Sequence, residues 1–425
     1  MTALTQTQSQ ALTFAAGLKR TANAAHLNHK VDEALSSLES LNFPTSKVEA
    51  WKYTRLGKIT NQNYSSCETL IETPINKIAD LDAYYLVFVN GVFDPNQSDN
   101  ITEKGVNIEV FSRDYCELAK DHFSTQTNNQ EVFTAINTAY LNNGVYIAIE
   151  KNTVVSKPIV IVNKSTSGNF STNFRNVINV AESAQAHVIQ LFDGDSASQG
   201  MTNVVSEITV DSNANCIYDK WQNEAQTHNH IARDLVNQAK DAVFTTNTIT
   251  TGGLLTRNDL VIHVNGQNGL TNLNGLYISK GNQHIDNHTT VDHKVPHCES
   301  HELYKGIVDD NSTAVFNGKV FVRPDAQKTN AFQQNANIVM TDEATVNSKP
   351  ELEIYADDVK CSHGSVTGQF DEEAVFYLRA RGIGEESARN LLVHAFASDV
   401  LNKISLDPLR ETIETFITNN FSWGK

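Results

Sequence analysis

Thiols are few in this chain of 425 residues. Cys67, Cys116, Cys216, Cys298 and Cys361 are scattered, odd in number, and form no CxxC pair. That pattern argues against a disulfide framework and against a four-thiolate zinc or cluster site built by this chain alone. It fits a reducing cytosol, so the expected location is cytoplasmic. No run approaches the roughly 20 apolar residues needed to cross a bilayer. Basic charge is also short, with 33 Lys and Arg against 49 Asp and Glu and a formal charge of −16. Such a balance gives no general attraction to nucleic acid or anionic lipid. There is no P-loop, no GxGxxG opening a helix, no GxSxG and no HExxH. Nucleotide hydrolysis, dinucleotide redox chemistry and zinc proteolysis are therefore not built here from a known motif.

What is present falls into three parts. Residues 1–80 read as an amino-terminal helical domain. The Ser/Thr/Gln-rich start reads as a frayed tail rather than a transit peptide, because Arg is sparse. From Gln10 to Leu41 the chain is Ala- and Leu-rich, with Val31, Ala34, Leu35 and Leu38 at helical spacing, and Pro44 ends the stretch. In FPTSKVEAWKYTRL, Trp51 and Tyr53 are expected to anchor a helical cap onto its neighbour rather than to bind a ligand. DAYYLVFVNGVF reads as a strand pair around an Asn-Gly turn.

Residues 81–364 form a β-strand region, most regular from about residue 144. Segments such as KPIVIVN, RNVINVAESAQAHVIQLF, NDLVIHVNG and STAVFNGKVFVRP alternate apolar and polar residues between Gly, Asn and Asp. More than two hundred residues of short strands without a helical period is long for one sandwich. Asn recurring near strand ends suits stacked coils in which like positions form ladders. The expected core is a parallel β-helix, a β-solenoid.

Residues 365–425 are helical. Asp371 is placed to cap a helix through Arg379, with Gly382 stopping it. The next helix carries Ala388, Leu391, Leu392, Ala395 and Phe396 as its apolar face. A third follows Pro408, with Leu409, Ile413, Phe416 and Ile417 on one side. This apolar surface is expected to cover the end of the β body or to bind a partner.

Two constellations carry possible metal chemistry. His284, His288, His293, His297 and His301, with Cys298 among them, form a compact His run of metal-ligand residue types. Their spacings converge on a helix but not simply on strands, so surface or ladder histidines are the preferred reading and a metal carrier the alternative. The second constellation is Cys361 and His363, two residues apart at the β-to-helix junction. On a strand both side chains share a face. Nothing marks a third orienting group or an oxyanion hole for nucleophilic catalysis, and two residues are too few to close a metal site. The remaining ligands of such a site must come from a partner; the equal alternative is a buried cysteine and a capping histidine at the junction.

The stretches FPTSKVEAWKYTRL and HKVPHCESHELYKGIVDDNSTAVFNGKVFVRP, followed by ELEIYADDVKCSHGSVTGQFDEEAVFYLRARGIG, resemble the SufD branch of the SufB/SufD family of the SUF iron–sulfur cluster assembly machine. The resemblance covers most of the chain. The Cys-rich amino-terminal motif of the SufB branch is absent. The likeness implies a right-handed parallel β-helix flanked by amino- and carboxy-terminal helical domains, and a non-catalytic scaffold subunit. It also implies pairing with SufB through the β-helices and binding of the SufC ATPase through the carboxy-terminal helices. Phe376, Tyr377, Arg379, Arg381 and Leu391 are candidates for the SufC contact. By the same likeness, His363 and Cys361 match residues at the SufB interface, where iron or a nascent iron–sulfur cluster is held transiently. No cofactor is expected to be firmly bound by the chain alone, and in isolation the β-helix edge can pair with a second copy. A β-helix enzyme acting on carbohydrate is the remaining alternative; it would want a secretion signal and paired carboxylates along a groove.

Overall fold

A computed structural model describes residues 9–18, 27–111 and 117–421. The amino-terminal tail, residues 19–26 of the first helical stretch and Cys116 lie outside the described residues. Within that stretch two helices are seen, Gln10–Ala15 and Asn28–Leu38, the second burying Val31, Ala34 and Leu38.

The β region is a solenoid of about eight coils, each strand of one sheet leading through a corner to a strand of the other. The ten-stranded sheet runs in the order Val92–Phe93, Tyr84–Val89, Ile159–Ser165, Gln185–Gly194, Asn215–Asn223, Val243–Thr250, Leu270–Ser279, Glu299–Val308, Asn330–Val339 and Lys360–Gln369. The nine-stranded sheet runs Val106–Phe111, Asn143–Ile149, Ser171–Val180, Met201–Val210, Asn229–Gln238, Leu255–Val264, His284–His293, Thr313–Val322 and Thr345–Ile354. Pairing between coils is parallel and in register, and only the first pair of each sheet is antiparallel. The predicted hairpin opens the first sheet, with Asn90 at φ 49° and Gly91 at φ 79°, as a tight two-residue turn requires.

The corners explain much of the composition. Ser183, Asn213, Asp241, Asn268, His297 and Lys328 occupy one corner of successive coils, all with positive φ. Asn and Asp tolerate this conformation best among residues with a Cβ. The residue after each is small and inward: Ala184, Ala214, Ala242 and Cys298 are buried. Between the sheets run apolar layers that include Val145, Phe174, Val204, Phe244, Ile262, Ile285 and Phe316. Amide ladders satisfy polar groups between coils. Asn274 Nδ2 donates to Asn247 Oδ1 at 2.9 Å, and Asn247 Nδ2 to Asp219 Oδ1 at 2.6 Å.

Helical layers cover the flanks. A helix at Val132–Ala139, buried at every residue, packs with the amino-terminal segments on the nine-stranded sheet. Trp51 is the anchor expected of it. It is buried, and the Arg257 guanidinium lies over its ring at 3.8 Å. The same guanidinium donates to Asp286 at 2.5 Å and to the Ala50 carbonyl at 2.9 Å.

The carboxy-terminal helices are Glu372–Arg379, Glu385–Leu401 and Asp407–Asn420. Asp371 caps the first by accepting from the Ala374 N–H at 2.9 Å, and Gly382 follows it at φ 89°. These helices do not close the end of the solenoid. Val393, Ala397, Val400, Leu409, Ile413 and Ile417 pack along the outer flank of the ten-stranded sheet, against Ile249, Leu276, Ile278 and Ile307. The buried face of the middle helix is also turned from the expected one. Val393, Ala397 and Val400 point inward, whereas Leu391 and Ala395 are exposed. The sheet outside is apolar enough to need this cover, and the end of the solenoid is left bare.

Candidate functional site

Both sheets stop at the last coil. Thr345–Ile354 pairs only with Thr313–Val322, and Lys360–Gln369 only with Asn330–Val339. Lys360–Gln369 is exposed at every residue except the half-buried Cys361. The outward edge of each strand therefore leaves backbone N–H and C=O groups unpaired by any further strand.

Register decides where Cys361 and His363 point. Cys361 lies over Ala331 and His363 over Gln333, and both underlying residues are buried. The alternation of the strand thus puts the thiol and the imidazole on one face, above the interior of the solenoid and at its open end. Cys361 packs with Leu352, Val359 and Ala331 in a small apolar cluster. Burial raises its thiol pKa, only partly offset by the Ala331 backbone. It is a protected thiol that a metal ion would deprotonate on binding. His363 is exposed and has no hydrogen-bond or ion-pair partner among the described residues. No group of three metal-ligating side chains occurs among the described residues, and Cys361 and His363 offer two donors on one face.

A polar floor lies beneath, and sequence reading missed it. Ser348 Oγ meets Ser365 Oγ at 2.7 Å across the two sheets and donates to Asn335 Oδ1 at 2.7 Å. Asn337 Nδ2 donates to Thr367 Oγ1 at 3.3 Å. Period-two spacing of Gln333, Asn335 and Asn337 was the available signal, read only as generic alternation.

The His run does not gather into one site. His284 faces the amino-terminal segment, 2.8 Å from Thr54 Oγ1, and His288 pairs with Asp286 at 2.9 Å. His293 is buried inside, 2.9 Å from Ser300 Oγ. His301 lies on the other sheet, stacked on Phe332 at 5.7 Å. His297 and Cys298 fill the corner pair described above, His297 at φ 61° and Cys298 buried. The sequence runs through a strand, a corner and a facing strand, and consecutive imidazoles part company there.

On the carboxy-terminal helices, Phe376 is 74% exposed, Tyr377 57% and Leu391 52%. Arg379 pairs with Glu385 at 3.0 Å, and Arg381 lies over the Tyr377 ring at 4.5 Å. The helix Glu372–Arg379 buries only Val375, so most of its surface is presented outward.

Residues 161–396 match the family described as SUF system FeS cluster assembly, SufBD core domain, and residues 13–161 match the SufBD protein N-terminal region. The iron–sulfur cluster assembly protein SufD of Escherichia coli is 31% identical over 94% of this chain and 97% of its own length. A SufBD family iron–sulfur cluster assembly protein of Synechocystis is 31% identical, covering 90% of this chain and 89% of its own. The SufD of Bacillus subtilis is 24% identical over 91% of this chain and 92% of its own.

Proposed function

This chain belongs to the SufBD family of iron–sulfur cluster assembly proteins, and from that premise we propose that it is a non-catalytic scaffold whose open solenoid end pairs with a SufB-type chain. In this reading Cys361 and His363 supply ligands from one side of the interface, the partner supplies the rest, and iron or a nascent cluster is held there as cargo. The carboxy-terminal helices bind a SufC-type ATPase through the exposed Phe376, Tyr377 and Leu391 with the neighbouring Arg379 and Arg381. The machine works in a reducing cytoplasm.

The observation that carries this is the bare last coil. A solenoid needs a polar cap or a partner at each end, and the helices that could cap this one lie along its flank. The strands offered there have unpaired edges, and their inward column carries a thiol and an imidazole with no third ligand among the described residues. Pairing with another β-helix would complete both the hydrogen-bond ladder and the coordination sphere. An independent iron or zinc carrier built on the His run has less support, because those side chains face different parts of the molecule.

Co-expression with SufB- and SufC-type chains from the same source, followed by size exclusion, tests the proposal. One stable complex is expected, in which His363→Ala lowers cluster assembly roughly 10- to 100-fold, the loss typical of a metal-site residue. Elution of this chain alone with bound metal would overturn it, and so would full assembly activity in the His363→Ala, Cys361→Ser double variant.

A further inference from the structure

We infer that Gln333 is a positioning residue for His363: its amide is anchored from below by Glu302, and its carbonyl oxygen, unbonded in the structure, is the acceptor that takes the Nδ1–H once the exposed imidazole turns towards the coil beneath. The inference rests on the reading of His363 as an interface ligand. Glu302, Gln333 and His363 stand in one column, each in register with the next across three successive coils. Glu302 and Gln333 are both buried. Gln333 Nε2 donates to Glu302 Oε2 at 2.7 Å, and the other carboxyl oxygen receives the Thr289 hydroxyl at 2.5 Å. That bond settles which end of the amide is which. The nitrogen is committed to Glu302, and Gln333 Oε1 is left buried with no hydrogen-bond partner.

A buried amide oxygen without a partner is costly, about 1–3 kcal/mol, and calls for a donor. The next coil supplies one, since adjacent strands are about 4.8 Å apart and His363 is the residue in register. Nδ1 is the ring nitrogen nearer the main chain, so it is the one a ring turned towards the coil beneath would offer to Gln333, leaving Nε2 free for a ligand. A histidine that ligates through one nitrogen usually has its other N–H held by an acceptor, which fixes tautomer and ring orientation. The opposite sheet is shaped for the same amide. Gly318, in register with Thr289, faces Gln333, and a Cβ there would lie 2.2 Å from Gln333 Nε2. The missing side chain is the room in which the amide sits. Burial raises the Glu302 carboxyl pKa to about 7, so this amide orientation belongs to solutions above pH 7, where the carboxylate can only accept.

The test uses the metal-free full chain labelled with ¹⁵N-histidine, held at about pH 8, above both the ordinary imidazole pKa of about 6.5 and the raised Glu302 value, with the His363 signals assigned by their loss in His363→Ala. The wild type is expected to show mainly the Nδ1–H tautomer at His363. Gln333→Met, which keeps volume but removes the acceptor, is expected to shift His363 to the Nε2–H form that free imidazole prefers. Gly318→Ala, which displaces the amide without altering it, should shift it in the same direction. Glu302→Gln still accepts from Gln333 Nε2 and should retain the wild-type tautomer. An unchanged His363 tautomer in folded Gln333→Met or Gly318→Ala would overturn the inference. In the assembled complex Gln333→Met is expected to slow cluster formation about tenfold. A tautomer shift with assembly unaffected would uphold the positioning role and instead sink the reading of His363 as a ligand.

Discussion

At the scale of single residues, the solenoid interior holds ionisable groups whose burial sets opposite pH dependences. Burial pushes Glu302 up to about 7, with the Thr289 hydroxyl and Gln333 amide only partly offsetting it. His228 and His293 are each lowered to about 4, burial being the largest cause. The signs differ. A carboxyl raised in the folded state contributes stability that is present below its unfolded pKa of about 4.3 and is lost as pH rises towards 7. A histidine lowered in the folded state contributes stability present above about 6.5 and lost as pH falls towards 4. The whole protein therefore shows a mixture, and only a difference isolates one group. Glu302→Gln should match the wild type in urea unfolding near pH 4.5 and exceed it by on the order of 3 kcal/mol above pH 7. A constant difference across that range would mean that Glu302 titrates normally.

The corner pair sets the element scale. Each coil turns on a residue in the left-handed region followed by a small buried one, and the His297–Cys298 pair is that corner in one coil. His297→Asn should leave stability within about 0.5 kcal/mol, because Asn fills the same slot at the neighbouring corner, Asn268, and again at Asn213. Cys298→Leu should cost about 1–3 kcal/mol in chemical denaturation by overpacking the coil interior. Neither change should alter metal content, and a loss of bound iron on His297→Asn would restore the His run as a site.

The legibility of the chain divides along the same line. Strand alternation and Asn-rich corners were readable because their period is local, and they led to the solenoid. Cys361 and His363 were readable as a pair for the same reason. The His run misled because its spacing crosses a corner, where i+4 no longer means a shared face. The helix Val132–Ala139 was missed because it is only eight residues long and its polar face of Thr134, Asn137 and Thr138 is uncharged and buried like the rest. The tail helices were legible as helices, and in the last one so was the buried face, but the middle one buries a different face from the one its spacing suggested. Their docking on the flank was not legible, since periodicity can say which side is buried but not against what.

At the scale of the whole molecule, the proposed ATPase-binding helices and the proposed metal ligands are joined almost without slack. The strand Lys360–Gln369 is followed after two residues by the helix Glu372–Arg379. Phe370 between them is buried, with the Arg389 guanidinium 5.1 Å from its ring. Arg389 also grips Glu372 through bonds of 2.6 and 2.7 Å. The other two helices are held to the flank, where Lys305 Nζ donates to Asp399 at 2.5 Å and Trp221 meets Phe416 at 5.3 Å. The helix Glu372–Arg379 buries one residue and the last strand almost none. Force applied to that helix therefore meets least resistance along the strand that carries Cys361 and His363. If nucleotide-driven closure of the ATPase acts through this connection, it biases a two-state element at the interface. Inserting three glycines between Phe370 and Asp371 should leave ATPase binding and complex size unchanged, because the docked surfaces are untouched. It should lower cluster formation per ATP hydrolysed severalfold, since a flexible linker absorbs the displacement. Equal coupling in the inserted and wild-type complexes would show that the ATPase reaches the interface by another route, through the flank-docked helices and the sheet beneath them.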